Sequence, residues 1–411
     1  MRILLVSQYF HPEPFRVNDL VQAWSERGHR VEVLTGLPNY PAGRLYPGYS
    51  LRGPYRERLA GAEVRRVPLV TRGRRRGLRL ALNYLSFAAA GWLAGPRAIA
   101  RGAEVIVVFA PSPITACLPA LRLKRLRGVP VALWVQDLWP ESLAATGAVR
   151  SPRLLRLAAK VVRGIYRRCD LVLVQSAGFV DAVRAVCPEA HRVRVLPNWA
   201  EPFYGPLEVE AGAPERRELP DGFTILFAGN LGSSQALETV IAAADLLRGR
   251  PIHWVFVGDG NRRRWLESEC RRLGLEGRVR FLGQRPPERM PRYLALADVL
   301  LVSLRRDPTF AATVPTKVQS YLAAGKPILA ALEGEGARVV ESSGAGRVVA
   351  PEDPAALARA ARELHEIGGE ALAGMGERAR DHARRHFDRE RLVARLDGWL
   401  EELVEERRCA S

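Results

Sequence analysis

The stretch TILFAGNLGSSQALETVIAAA (224–244) begins as an apolar run, turns at Gly229 and Gly232, and resumes as a helix-forming segment. A buried strand, a glycine turn and a helix in that order open a βαβ unit. Apolar runs of the same length recur downstream at 253–258 (HWVFVG), 278–283 (RVRFLG), 298–303 (DVLLVS), 327–331 (PILAA) and 346–349 (GRVV). Upstream the same rhythm appears at 2–8 (RILLVSQ), 31–35 (VEVLT), 63–69, 104–109 (EVIVVF), 130–136 (PVALWVQ), 171–175 (LVLVQ) and 192–196 (RVRVL). A helix over 17–28 separates the first two of these. Short apolar strands alternating with helices predict parallel sheets with crossover helices. Between the two series lies WAEPFYGPLEVEAGAPERRELPDG (199–222), rich in Pro, Gly and acidic residues, which reads as a break. The expectation is an α/β protein of two similar open-sheet domains, with ligands in the crevice at the carboxyl ends of the strands.

At 411 residues the chain has room for two cores, and 47% apolar with 26% charged residues fits a folded, soluble protein. MRILLVSQYF reads as a first strand, without the apolar region and small-residue cleavage site of a signal peptide. Five scattered cysteines, with no C-x-x-C pair, suit a reducing cytoplasm and indicate neither a disulfide framework nor a zinc site.

The net charge of +18 is unevenly spread. Residues 1–200 carry 31 Lys and Arg against 12 Asp and Glu, and the remainder carries 31 against 32. A basic first half points to a polyanionic partner: an anionic membrane, nucleic acid or a phosphorylated substrate. No nucleic-acid-reading motif accompanies it. The most apolar segment, LRLALNYLSFAAAGWLAG (78–95), is interrupted by Arg79 and Asn83. It falls short of the roughly 20 apolar residues a span needs. With RGRRRG (72–77) upstream and Tyr84, Phe87 and Trp92 within it, the segment reads as a surface anchor beside a polybasic patch. Helix 153–168 adds Arg153, Arg156, Lys160, Arg163, Arg167 and Arg168 around an apolar seam. The expected location is the cytoplasm, peripheral at the inner face of the membrane.

Binding a diphosphate calls for backbone N–H groups at a helix start and nearby cations. Two segments offer these. One is the turn through Gly229, Gly232, Ser233 and Ser234. The other is TVPTKVQSYLAAGKPIL (313–329), with Thr316 as an N-cap and Lys317 in the first turn. Arg305 and Arg306 could add charge. No Ser–His–Asp set, metal-binding histidine spacing or paired-carboxylate motif stands out.

With GHRVEVLT (28–35), QDLWPES (136–142), VQSAGF (174–179), VLPNWAEPF (195–203), FAGNLGSSQALE (227–238), FVGDG (256–260), RVRFLGQ (278–284) and VPTKVQSYLAAGKPILA (314–330), the chain resembles the retaining GT-B glycosyltransferases of family 4 over nearly its whole length. QYFHPEPFR (8–16), GLPNYPAG (36–43) and QDLWPES resemble the L-fucosamine-transferase-like subgroup, bacterial enzymes of O-antigen, capsule and exopolysaccharide assembly.

The resemblance implies two Rossmann-like domains facing a central cleft. Residues 1–200 would bind the acceptor, 201–385 the nucleotide-sugar, and a helix over 386–411 would cross back to the first domain. The base would lie near Gly283, Gln284 and Arg285. The diphosphate, UDP-linked, would sit between Gly229–Ser234 (with Asn230 and Ser233) and the Thr316–Lys317 helix start. The acceptor would be a lipid-linked saccharide and the partners polysaccharide-assembly enzymes. No metal or other cofactor would be needed.

Asp137 and Glu13 are the expected catalytic carboxylates, each following a strand at the crevice edge. Asn39 and Tyr40 are expected to line the acceptor pocket. Several positions depart from the family pattern. Asn230 and Gln235 stand where many members carry Arg and Lys, and Ala312 and Ser320 occupy the E-x7-E pattern that usually holds the ribose. Arg16, Arg305 and Lys317 are the natural replacements. A non-catalytic scaffold of the same fold is the alternative. A dinucleotide-dependent oxidoreductase is disfavoured because SQYFHPEPF follows the first strand in place of G-x-G-x-x-G.

Overall fold

A computed structural model describes residues 1–53, 55–73, 77–98, 102–145, 149 and 151–410. The chain divides into two units, Met1–Leu196 with Glu390–Ser411, and Pro197–Arg389. The arginine run at 74–76 lies outside the described residues.

The first unit is built on β1 (Arg2–Val6), β2 (Arg30–Gly36), β3 (Arg56–Leu59), β4 (Ala62–Val67), β5 (Val105–Ala110), β6 (Val131–Val135), β7 (Leu171–Val174) and β8 (Val193–Val195). They lie in the order β3-β4-β2-β1-β5-β6-β7-β8. All neighbours are parallel except β3, which pairs antiparallel with β4. The central strands VIVVFA and VALWV are buried at every residue, as helix-covered parallel strands must be. β3 was not expected. Its RERL sequence has no apolar alternation, because an edge strand only half covered does not need one.

The second unit holds β9 (Phe223–Ala228), β10 (Ile252–Val257), β11 (Val279–Gly283), β12 (Val299–Ser303), β13 (Ile328–Ala331) and β14 (Gly346–Val349). Its order, β11-β10-β9-β12-β13-β14, is wholly parallel. Successive residues alternate between two cores. Ile225, Phe227, Trp254 and Phe256 pack on one face, Leu226, Val255, Val257 and Leu300 on the other. In each sheet the chain direction of progression reverses once, between β1 and β5 and between β9 and β12. At such a switch point the loops leaving the strands' carboxyl ends diverge and open a crevice.

The unit boundaries fall at 196/197 and 389/390, against the expected 200/201 and 385/386. The acid-rich linker is packed onto the second unit. Glu215 is fully buried and pairs with Arg289 at 2.6 Å and Arg292 at 3.8 Å. Glu218 accepts from Arg285, Arg289 and the Tyr293 hydroxyl. The last helix, Arg389–Ala410, belongs to the first unit. There its buried Asp397 accepts from Trp24 Nε1 at 2.9 Å and Arg27 Nε at 2.8 Å, with His29 Nε2 at 3.3 Å.

Candidate active site

In the second unit the decisive residue is Lys317, in the first turn of helix Thr316–Ala324. Thr316, expected as the N-cap, is the first helical residue. Pro315 holds the extended capping position, with no side-chain cap; the Val318 N–H donates to the Pro315 carbonyl at 2.9 Å, which leaves the Thr316 and Lys317 N–H groups available to an anion. Lys317 runs across Gly229 at the end of β9, where a Cβ would stand 2.8 Å from the lysine Cε. Gly229 also has φ 137°, a conformation that residues with a side chain rarely adopt, and any side chain there would displace the end of Lys317. The loop after β10 closes on the same point, since a Cβ on Gly258 would fall 1.9 Å from the Gly229 carbonyl oxygen.

The Lys317 ammonium stands 3.7 Å from the centre of the Phe227 ring and donates to Gln235 Oε1 at 2.5 Å. Burial pushes it down to about 7 from its usual 10.5. A desolvated amine with one neutral acceptor is set to take up an anion. Gln235 stands where many family members have a cation; here it orients one supplied by another element.

The other expected donor residues divide. Ser233 and Ser234 form a short 3₁₀ turn that ends at Gln235, and the following helix starts only at Leu237 after Ala236 at φ 45°. That helix therefore does not open on the serines. The Ser234 carbonyl accepts from the Arg305 N–H at 2.9 Å, and the Arg305 guanidinium pairs with Glu238. Asn230 packs against Gly232 and Gly260. Gly283 (φ 74°) ends β11, and Gln284 follows it. Arg285 is held by Glu218 and, at 3.0 Å, by the Tyr293 hydroxyl. Ser320 donates to Glu201 at 2.9 Å and to the Thr316 carbonyl at 3.1 Å. A carboxylate thus stands beside Ser320 that the E-x7-E spacing could not locate, because it comes from the linker.

In the first unit, Asp137 follows β6. Ser142 Oγ donates to its Oδ2 at 3.1 Å. Burial raises its carboxyl to about 6, against opposing hydrogen bonds from Ser142, Trp139 and Ser112. Around it, Trp139 Nε1 donates to Ser112 Oγ at 3.2 Å and the Trp139 ring faces Tyr84 at 6.2 Å.

Glu13, expected as a second catalytic carboxylate, pins loops together. It is fully buried and accepts from the N–H groups of Phe10 (3.3 Å), Asn39 (2.8 Å) and Tyr40 (2.7 Å). Burial lifts it to about 7 in spite of those three donors. Asn39 is also buried, its Oδ1 accepting from the Arg72 N–H at 3.0 Å, so it joins loops rather than lining a surface. Tyr40 stays half-exposed. Its ring lies 5.0 Å from Phe15 and 5.0 Å from the Arg72 guanidinium, and Phe15 stacks on Tyr9 at 4.6 Å. Arg16, at the N-cap of helix Val17–Glu26, belongs to this first unit.

Residues 15–199 match the Glycosyl transferase 4-like domain and residues 222–366 match Glycosyl transferases group 1. The chain belongs to the family 4 glycosyltransferases. A protein of Escherichia coli (strain K12) named as a colanic acid biosynthesis glycosyl transferase, WcaI, is 27% identical over 408 residues, 96% of this chain and 98% of that one. Among solved structures, sucrose-phosphate synthase from Thermosynechococcus elongatus superimposes with a TM-score of 0.76 at 19% identity, over 99% of this chain and 100% of that one. Anabaena HepE, solved in complex with UDP, gives 0.70 at 16%, over 98% and 100%. The fold of this glycosyltransferase is therefore GT-B.

Sequence reasoning singled out Lys317, Gly229 and Asp137, but not the groups that surround them. Gln235, Phe227, Glu201, Ser112, Ser142 and the Tyr9–Phe15–Tyr40–Arg72 cluster come together only in the fold. For the aromatic cluster a signal existed: three rings and an arginine all fall in loops that leave β1, β2 and β4.

Proposed function

We propose that this glycosyltransferase moves a sugar, an N-acetylated or deoxyhexose, from a UDP-linked donor to a lipid-linked saccharide in cell-surface polysaccharide assembly, as a member of the L-fucosamine-transferase-like subgroup. The observation that carries the donor half is the desolvated Lys317 ammonium beside Gly229 at an uncapped helix start. In this reading the diphosphate replaces Gln235 as its partner, and Arg305 and the Thr316 and Lys317 N–H groups share the charge. UDP in the HepE complex supports the choice of nucleotide. The WcaI name supports the polysaccharide context. Transfer proceeds with retention and without metal, a donor phosphate oxygen assisting removal of the acceptor proton. Asp137, raised to about 6, accepts or orients that proton. Tyr40, Phe15 and Arg72 offer the acceptor sugar an aromatic and cationic face.

Two helix faces support attachment to the inner membrane surface. Leu78, Leu82, Leu85, Trp92 and Leu93 are exposed on helix Leu78–Ala98. Leu154, Leu157 and Val161 are exposed on helix Pro152–Tyr166, between Arg153, Arg156 and Lys160. Apolar strips flanked by cations suit an anionic bilayer. Among the described residues no helix is long and apolar enough to cross a membrane.

The test is a thermal-shift screen against UDP, GDP, ADP, dTDP and their sugars, with and without EDTA. A native-state ligand adds about 2.7 kcal/mol of stability at 100 times its dissociation constant. A selective, EDTA-insensitive rise with UDP is expected. Folded protein that responds to no nucleotide would favour a non-catalytic scaffold.

A further inference from the structure

The first unit contains a cavity of about 1160 Å³ that the proposed chemistry does not use. It lies at the amino ends of the strands, the edge opposite Asp137 and Tyr40. Gly128 and Pro130 precede β6, Arg167 to Asp170 precede β7, and His191 and Arg192 precede β8. The helices Leu118–Arg127 and Arg389–Ala410 supply further walls.

Its lining combines two properties that rarely coincide. Seven arginine and lysine side chains face two carboxylates. Lys124 is matched by Asp170 at 2.7 Å and Arg192 by Glu406 at 2.7 Å. Arg125 and Arg167 are exposed, and among the described residues neither side chain has a hydrogen bond or ion pair. The same cavity carries apolar groups open to solvent: Leu126 is 57% exposed, and Trp92, 41% exposed, lies 5.4 Å under the Arg122 guanidinium. A free phosphate would use the cations and leave Trp92 and Leu126 without a role. An amphiphile with an anionic head uses both. Both helices with exposed apolar strips also lead here, one through Trp92 and the other by ending at Tyr166, just before Arg167 and Arg168.

We propose that this cavity binds the headgroup of an acidic phospholipid, with its phosphate on Arg125 and Arg167 and the first part of its chains along Trp92 and Leu126. This deepens the membrane reading above by adding a specific lipid site to a general adhesive surface.

The test uses the full chain and short-chain phosphatidylglycerol below its micelle concentration, followed by calorimetry. Saturable binding is expected. The pair Arg125→Ala with Arg167→Ala should weaken it by roughly tenfold or more, the usual loss for hydrogen bonds to a charged group. Arg153→Ala with Arg156→Ala, on the helix face outside the cavity, should leave it in place. Glycerol phosphate binding as tightly as the lipid would overturn the lipid assignment in favour of a soluble phosphate site. Absence of saturable lipid binding, or binding indifferent to Arg125 and Arg167, would overturn the site itself. Sedimentation with phosphatidylcholine vesicles, with and without phosphatidylglycerol, separates the two readings. Protein that pellets with acidic vesicles yet ignores the short-chain lipid retains the membrane reading and loses this one, and protein that does neither loses both.

Discussion

The two sheets of this glycosyltransferase are built alike and finished differently. β4-β2-β1-β5-β6-β7 and β11-β10-β9-β12-β13-β14 follow the same order, with one reversal each. At the carboxyl edge of the first sheet the loops are aromatic, and burial raises two carboxyls there, Asp137 and Glu13. At the same edge of the second sheet the loops are glycine-rich, and burial lowers a single amine, Lys317. Desolvation disfavours the charged form in both places; in the function proposed above this suits Asp137 at one edge to handling a proton and Lys317 at the other to receiving an anion. The two edges of a shared scaffold thus differ in their loops, and the proposed function rests on that difference.

The largest expected effect breaks that difference on the first side. Asp137→Asn should lower kcat by about 10²–10⁴-fold, the range for a group that handles a proton in the transition state, while leaving nucleotide affinity unchanged. Steady-state kinetics with parallel calorimetry would separate the two quantities. On the second side, Lys317→Ala should weaken nucleotide binding roughly ten- to a hundredfold, as expected for loss of hydrogen bonds to a charged group. The unliganded protein should lose little stability, because removing the lysine also removes a desolvated charge.

A smaller effect follows from pH. The lysine's value falls from 10.5 to about 7 on folding, so the cost of holding it charged is present below pH 7 and fades as pH rises toward 10.5. A bound diphosphate favours the ammonium. Nucleotide affinity should therefore decline above pH 7, by at most about tenfold per pH unit, and Lys317→Arg should flatten that decline. Calorimetry across buffers of different ionisation enthalpy would show proton uptake on binding. The smallest effect sharpens the contrast within the first sheet. Glu13→Gln keeps one acceptor oxygen and leaves a loop N–H unpaired, costing about 1–3 kcal/mol in a denaturation midpoint without the kcat loss seen for Asp137→Asn.

How far the sequence could be read follows the same contrast. Strands were legible because parallel strands are buried on both sides and spell themselves as apolar runs, as VIVVFA and VALWV do. β3 was not, since RERL pays no penalty for polarity at an edge. Lys317 and Asp137 were legible from their places after a helix start and a strand end. Their environments were not. Gln235 lies 82 residues from Lys317 and Glu201 lies 119 from Ser320, and no local pattern joins positions so far apart. Glu13 shows the same limit from the other side. A carboxylate after the first strand looks chemical in sequence, yet three backbone N–H groups from two loops claim it. The acidic linker was legible as a break, but the ion pairs by which Glu215 and Glu218 bind it to the second unit were not.

The central claim, that the second unit holds the donor nucleotide through Lys317 while the first supplies the proton-handling carboxylate, is tested most directly by UDP calorimetry on three proteins. Wild type and Asp137→Asn should bind UDP with the same dissociation constant, and Lys317→Ala should bind it roughly ten- to a hundredfold more weakly. Equal UDP binding by wild type and Lys317→Ala would contradict the account.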